Sequence, residues 1–93
     1  MVKLRYNDGL IDRIREKEIR NATLSKNKGL VEVRYDENDG TVSFVGSFNY
    51  CIVTLIINGT EYNEDMIKEH FAEVEALLDR ERMEKFLEEI DDD

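Results

Sequence analysis

The stretch that decides the fold is the last third of the chain, residues 63–93, which reads NEDMIKEHFAEVEALLDRERMEKFLEEIDDD. Asn63 is a good N-cap, because its side-chain oxygen can accept a hydrogen bond from a free amide of the first turn. Apolar residues then recur at the spacing of one side of an amphipathic helix, at Ile67, Phe71, Val74 and Leu78. The pattern therefore predicts one long, acidic C-terminal helix over residues 63–93.

The apolar pattern slips after Leu78. Residues 79–82 are all charged, and a second apolar stripe follows at Met83, Phe86, Leu87 and Ile90. A single helix over residues 64–90 would be about 40 Å long, whereas a compact chain of this length has a radius of gyration of about 12 Å. The helix should therefore either break near residues 79–82 or project beyond the body of the molecule, and we expect a break or bend there.

Negative charge is concentrated in the same segment. From Glu61 onward there are 14 acids and four bases, which leaves −10, whereas residues 1–60 carry nine bases and eight acids, which leaves +1. Like-charged residues four positions apart, such as Asp65 and Glu69, each cost a helix about 0.2–0.5 kcal/mol. A helix selected only for stability would place more lysines there. The acids therefore favour a binding role, and an ordinary solvated acidic face is the alternative.

Length and composition predict one folded, soluble domain over residues 1–93. The chain is 41% hydrophobic and 38% charged, which is typical of a globular protein. We expect no membrane span and no secretory signal. Cys51 lies in an apolar run and predicts a small buried hydrophobe in a reducing cytoplasm. A net charge of −9 argues against direct binding of nucleic acid, whose phosphates would be repelled.

The remaining chain predicts one further helix and a sheet. Period-two alternation predicts strands over residues 2–6, 30–35 and 41–45, and the apolar run 50–57 predicts a buried strand. A rough apolar stripe over residues 9–22 predicts a first helix. The element order is then β-α-β-β-β-α. This order predicts a two-layer α+β domain, in which helices pack on one face of an antiparallel sheet.

No motif in the sequence predicts catalysis or a bound cofactor. His70 is the only histidine, and beside Phe71 it is better explained as a half-buried residue at the rim of the core than as a general base. His70 and Glu73 could fill two positions of a metal shell, but a second histidine is missing, so we expect no metal site. Phe48 and Tyr50 near a predicted turn could anchor a partner.

The acidic helix predicts a protein that binds the nucleic-acid site of another protein. Carboxylates one helical turn apart lie about 6 Å from each other, a spacing similar to that of phosphates along a strand. Such a ladder could occupy a basic groove in a nucleic-acid-binding protein or nuclease complex. The predicted contact residues are Asp65, Glu69, Glu73, Glu81, Glu84, Glu88, Glu89 and Asp91.

In layout and charge the chain resembles small phage-encoded inhibitors. The features that carry the resemblance are the strand over residues 2–6, a helix over 10–22, three strands over 30–57 and the acidic helix from Asn63. Anti-CRISPR proteins and DNA-mimicking anti-restriction proteins are the nearest examples. The resemblance implies a non-enzymatic inhibitor acting in the host cytoplasm, and no residue motif accompanies it.

Three other interpretations remain open. The second apolar stripe, Met83, Phe86, Leu87 and Ile90, could form a homodimer or bind a partner helix in an adaptor protein. Alternatively, the helix acids could pair with bases of the predicted first helix, which would leave no binding face; these bases are Arg13, Arg15, Lys17 and Arg20. A small enzyme is the least favoured interpretation.

Overall fold

The computed structural model describes residues 1–9, 13–37, 42–48 and 50–90. Within these ranges the chain forms six strands followed by two helices. The strands are β1 (Val2–Asp8), β2 (Arg13–Asn27), β3 (Leu30–Glu37), β4 (Ser43–Ser47), β5 (Ile52–Ile57) and β6 (Thr60–Tyr62). The helices are α1 (Glu64–Glu69) and α2 (Phe71–Ile90). The predicted α+β class with an antiparallel sheet is confirmed.

The sheet is antiparallel throughout and has the order β4-β3-β2-β1-β5-β6. Strands β1 to β4 form a meander, and β5 then returns to pair with the free side of β1. Two-residue turns close the β2–β3 and β5–β6 hairpins. Lys28-Gly29 and Asn58-Gly59 all have positive φ, between 49° and 86°, as tight hairpin turns require.

The predicted first helix is wrong, because most of residues 9–22 belongs to strand β2. Arg13 to Ile19 pair with β1, and Ile19 to Asn27 pair with β3. The register shifts between Arg20 and Thr23, and Asn21 has φ 53°. Residues 10–12 lie outside the described residues.

The register shift between Arg20 and Thr23 is a β-bulge. It explains why the sequence of β2 lacks the regular alternation of apolar and polar residues that predicts a strand. Ile19 is buried before the bulge and Ala22 and Leu24 after it, so the inward positions change from odd to even numbers. Before the bulge, two positions on the same side of β2 as Ile19 carry charges, because Arg15 and Lys17 lie opposite Tyr6 and Leu4 of β1. Arginine, lysine and glutamate favour helices, but pairing with two neighbouring strands outweighs this preference.

The sheet curls so that strands distant in its order approach each other. A Cβ atom on Gly46 in β4 would lie 2.6 Å from Ile52 Cδ1 in β5. Strands β4 and β5 are not neighbours in the hydrogen-bonded order. Any side chain at position 46 would therefore displace Ile52 from the core, where it is 3% exposed.

The structure does not contain the single long acidic helix that the sequence predicts, because the helical segment is divided at His70 and not near residues 79–82. Asn63 caps α1 as predicted, since its Oδ1 accepts from the Met66 amide at 2.9 Å. His70 leaves the helical conformation at φ −123°, ψ 39° and ends α1. Helix α2 is then continuous over 20 residues, about 30 Å, within a molecule whose longest extent is 43 Å.

The helices cover one face of the sheet with the predicted apolar stripe. Ile67, Val74 and Leu78 are at most 1% exposed, and α2 packs mainly against β2. Their neighbours in the core come from the sheet, and include Leu4, Val31, Val33 and Leu55. The division at His70 places α1 against β3 and α2 against β2.

Other strand predictions differ in detail from the structure. The strand expected over residues 50–57 begins at Ile52, because Phe48, Tyr50 and Cys51 lie in a turn. Cys51 is exposed and not buried as expected. Phe44, in the strand predicted over residues 41–45, stacks on Tyr35 but is 42% exposed. Strand β6 was not expected.

Candidate functional site: the acidic helical surface

Most described acids of the two helices face solvent. Asp65 and Glu69 on α1 are exposed, as are Glu73, Glu75 and Glu84 on α2. Their exposure follows from helix geometry, because the buried stripe takes one side of each helix and leaves the rest to solvent. We refer to Asp65, Glu69, Glu73, Glu75 and Glu84 as the open acids.

The open acids have few ion-pair partners within the described residues. Glu73 Oε2 lies 3.5 Å from His70 Nδ1, and the glutamate side chain is 79% exposed. The other four form no ion pair with a described residue. Nearby acids outside this group are paired: Glu64 contacts Lys68 at 3.3 Å and Asp79 contacts Arg82.

Glu81, predicted as a contact residue for the partner, is a structural residue instead. It is 9% exposed, its Oε2 accepts from the Met1 amino group at 2.8 Å, and its Oε1 accepts from Asn58 Nδ2. The Met1 amino group also donates to Asn58 Oδ1 at 2.7 Å. A carboxylate held this way ties α2 to the turn between β5 and β6.

Arg82 binds the neighbouring part of the sheet. Its Nη1 donates to the carbonyl of Ala22 at the β2 bulge. Residues 81 and 82 therefore explain why the apolar pattern slips after Leu78. Both occupy the sheet side of α2, but they bind polar groups of the sheet instead of apolar ones.

The three open acids of α2 are divided between two flanks of the helix and do not form one ladder. At about 100° per residue, Glu73 and Glu84 lie on one flank of α2, and Glu75 lies on the other. Glu73 and Glu84 are 11 positions apart, about 16 Å along the axis. The division at His70 separates the acids of both flanks from Asp65 and Glu69.

The outer ridge of α2, between these flanks, carries small and apolar residues. Ala72 and Ala76 are exposed, and Met83 and Leu87 are 63% and 57% exposed. These side chains lie opposite Val74 and Leu78 around the helix. The structure thus places two members of the predicted oligomer stripe on the surface.

Several predicted site residues are beyond the described part of the molecule. The backbone of α2 extends to Ile90, but the side chains of Phe86, Glu88, Glu89 and Ile90 lie outside the described residues. Asp91 lies outside them entirely.

Charges of the sheet are largely paired with each other. Arg5 donates to both Glu61 and Glu16, and these hydrogen bonds raise the pKa of its guanidinium above the ordinary value, the bond to Glu61 contributing most. Lys3 lies 3.6 Å from Glu16, and Arg15 lies 3.7 Å from Asp8.

Lys17 lies in a group of aromatic rings that the sequence pattern did not predict. Its Nζ is 4.9 Å from the ring centres of Tyr6 and Tyr35 and 5.4 Å from that of Phe44, within range of a cation–π interaction. It also contacts Glu37 Oε1 at 3.0 Å. Partial burial lowers the pKa of Lys17, but hydrogen bonds with Glu37 and Tyr35 outweigh it, so the pKa is raised.

One alternative prediction is that bases in residues 13–20 pair with the acids of the C-terminal helices. Arg15 and Lys17 lie on β2 and contact acids of the sheet, Asp8 and Glu37. They are therefore engaged away from the open acids.

The structure also places the residues that the sequence suggested for metal binding or partner binding, His70, Phe48 and Tyr50. His70 is half exposed and contacts Glu73, and no cluster of three potential metal ligands occurs among the described residues. Tyr50 is 81% exposed, whereas Phe48 packs against the core.

The chain was compared with known proteins, and no family model, curated protein or solved structure matches it. Neither helix of the described chain is long and apolar enough to cross a membrane.

Proposed function

We propose that this protein is a non-enzymatic inhibitor that acts in the cytoplasm. It occupies the basic groove of a nucleic-acid-binding protein or nuclease complex, as anti-CRISPR and DNA-mimicking anti-restriction proteins do. The surface that enters the groove consists of the open acids; Glu88, Glu89 and Asp91 stay predicted contact residues and lie outside the described side chains. Glu81 is not part of this surface, because its carboxylate holds α2 to the sheet.

The observation that carries the proposal is the exposure, on regular helices, of acids that form no ion pair with another described residue. Asp65, Glu69, Glu75 and Glu84 extend from α1 and α2 without an ion-pair partner among the described residues. Arginines and lysines of a partner could therefore bind them without first breaking an internal ion pair. Helical backbone also fixes the positions of the carboxylates before binding, which lowers the entropy cost of association.

The charge distribution favours a basic partner. Residues 61–93 carry −10 and residues 1–60 carry +1. The field of the molecule is therefore strongest beside the helices, where it would accelerate encounter with a positively charged groove.

The proposal is tested by competition with duplex DNA. Proteins eluted from a DNA column are passed over the immobilised chain, washed in rising salt and then exposed to a duplex oligonucleotide. We expect captured proteins to be released by salt, because exposed ion pairs are screened, and by the duplex, because it competes for the same groove. Capture that resists the duplex would contradict the proposal.

A matched pair of variants separates the acidic surface from net charge. Glu69→Lys with Glu84→Lys should abolish capture. Glu18→Lys with Glu32→Lys alters the net charge equally, but these residues lie on sheet strands β2 and β3, so capture should persist. Equal loss in both would indicate a non-specific effect of charge.

A second candidate function is supported by the outer ridge of α2. Met83 and Leu87 are exposed in the C-terminal half of a helix whose opposite side packs in the core. An oligomer or an adaptor complex would bury them against a partner helix. In that case Leu87→Asp would abolish association and the lysine variants of the acids would not.

A further inference from the structure

The two edge strands of the sheet differ in how they are protected. Strand β6 has three residues, and Glu61 at its centre is bound to Arg5. Strand β4 has five residues, Ser43 to Ser47, and none of them is charged or proline. Natural sheets protect their edges with charges, prolines or short strands, and β4 has none of these features.

The backbone of β4 presents unpaired groups to solvent. Glu37 N–H donates to the Val42 carbonyl, and Phe48 N–H donates to the Val31 carbonyl, so the even-numbered residues of β4 bond to β3. The backbone N–H and C=O groups of the odd-numbered residues of β4 then point away from β3, toward the open edge of the sheet. Ser47 C=O accepts from the amides of Tyr50 and Cys51, whereas the N–H and C=O of Ser43 and Val45 have no partner among the described residues.

Apolar side chains accompany these unpaired groups. Val45 is 55% exposed and Phe44 is 42% exposed. Phe44 is supported from behind by Tyr35, whose ring centre lies 5.9 Å away. The edge therefore offers hydrogen-bonding groups and exposed apolar surface together, which is the combination that strand addition uses.

We infer that β4 is a dimerisation edge and that its partner is β4 of a second copy, paired antiparallel about a two-fold axis at Phe44. This is the two-fold register in which the unpaired groups satisfy each other. Val45 N–H of one copy donates to Ser43 C=O of the other, and Ser43 N–H donates to Val45 C=O.

The same register brings the two Phe44 rings together. They become a directly opposed pair without mutual backbone hydrogen bonds, whose Cα atoms lie about 4.5 Å apart. Aromatic pairs at such positions stabilise antiparallel sheets. Val42 of one copy lies across from Gly46 of the other.

Charge favours a second copy at this edge over other parts of the surface. The segment from Val42 to Ser47 is neutral in a chain of net charge −9, so two copies approach here with least repulsion. Asp36 pairs with Ser43, and Arg34 pairs with Val45. In the proposed register, Asp36 and Ser43 of one copy line up with Val45 and Arg34 of the other across the four strands. Each such row therefore has a negative residue at one end and a positive residue at the other.

The association should be weak, because pairing of five-residue strands buries less than the roughly 1,200–2,000 Å² of a stable interface. Sedimentation equilibrium over a wide concentration range should show the mass rising from 10.9 kDa toward twice that value. A chain that remains monomeric at the highest concentration would overturn the inference.

Proline at an outward position tests the edge while preserving the protein's own sheet. Val45→Pro removes an outward amide and leaves the bonds between β3 and β4 intact, so it should abolish the dimer and retain the circular dichroism spectrum. Val45→Thr keeps the amide and should retain the dimer. If Val45→Pro perturbs the spectrum, Val45→Lys provides the same test, because a charge at the edge opposes pairing.

Disulfide trapping tests the register. In a Cys51→Ser background, Phe44→Cys should form a covalent dimer, because its Cα separation suits a disulfide. Val45→Cys should react far more slowly, since those residues are diagonal neighbours about 7–8 Å apart. The reverse order of rates would exclude a two-fold axis at Phe44. A dimer lost in Leu87→Asp but kept in Val45→Pro would place the interface on α2 and overturn the inference.

Discussion

In the sheet, Arg5 is held between Glu16 and Glu61, and Lys17 contacts Glu37. On the helices, Glu69 and Glu84 extend to solvent without an ion-pair partner among the described residues. Both regions are rich in acids, but the strands alternate acids with bases across neighbouring positions, whereas the helices hold few bases. Charge in the sheet therefore contributes to folding, and charge on the helices is available for binding.

The boundary between the two regions is the sheet side of α2. Leu78 is 1% exposed there, and Leu87 on the outer ridge is 57% exposed. Leu78→Ala should lower the free energy of unfolding by about 2–5 kcal/mol, because it leaves a cavity between α2 and the sheet. Leu87→Ala, measured in the same urea titration, should change it by less than about 0.5 kcal/mol. Similar losses in the two variants would mean that the outer ridge is buried in solution.

A smaller difference is expected between two glutamates three positions apart. Glu81→Ala removes the carboxylate that accepts from both the Met1 amino group and Asn58 Nδ2, and should cost about 1–3 kcal/mol. Glu84→Ala removes an exposed carboxylate and should cost less than about 0.5 kcal/mol. Urea unfolding of both variants provides the comparison. A neutral Glu81→Ala would contradict a structural role for this carboxylate.

Replacing a glutamate by lysine should change the free energy of unfolding in opposite directions in the helices and in the sheet. Glu69→Lys removes repulsion from Asp65 and should stabilise the protein by about 0.2–0.5 kcal/mol. Glu16→Lys removes the pairs with Lys3 and Arg5 and should destabilise it by about 0.2–1 kcal/mol. Thermal unfolding at low and high salt checks both, since salt should reduce the two effects. Changes of the same sign would remove the contrast between sheet and helices.

The smallest effect is a pH dependence at Asp36. Hydrogen bonds from Asn21 and then Ser43 lower the pKa of this carboxyl against a weaker opposing effect of burial. A carboxyl whose pKa is lower in the folded state stabilises the fold above its ordinary pKa. The contribution is lost as the pH falls through the lowered value. The stability gap between the protein and Asp36→Asn should therefore shrink from neutral to acidic pH, and a gap that grows on acidification would refute this assignment.

The sequence anticipated the features that depend on neighbouring residues. The predicted Asn63 cap and the predicted buried stripe of Ile67, Val74 and Leu78 appear in the structure, and the turn at Asn58-Gly59 likewise depends on adjacent residues. Each rests on local geometry, either the helical period or the positive φ that a tight turn requires. The concentration of acids in the last third follows from the sequence in the same way.

Features that depend on contacts between residues distant in the chain could not be predicted from the sequence. Strand β2 carries helix-favouring residues, and its bulge at Asn21 changes the inward positions, so that only pairing with β1 and β3 reveals a strand. Glu81 and Glu84 are similar residues on one helix, but Asn58 and the Met1 amino group approach just one of them.

Three features therefore follow from the sequence: the location of the negative charge, the helical conformation of residues 64–69 and 71–90, and the residues of the buried stripe. The tertiary structure alone decided which carboxylates stay open, where the helix divides and which strand forms an unprotected edge. The physical reason is that helical period and turn geometry are set by residues a few positions apart. Burial, ion pairing and edge position depend on contacts between residues that lie far apart in the chain.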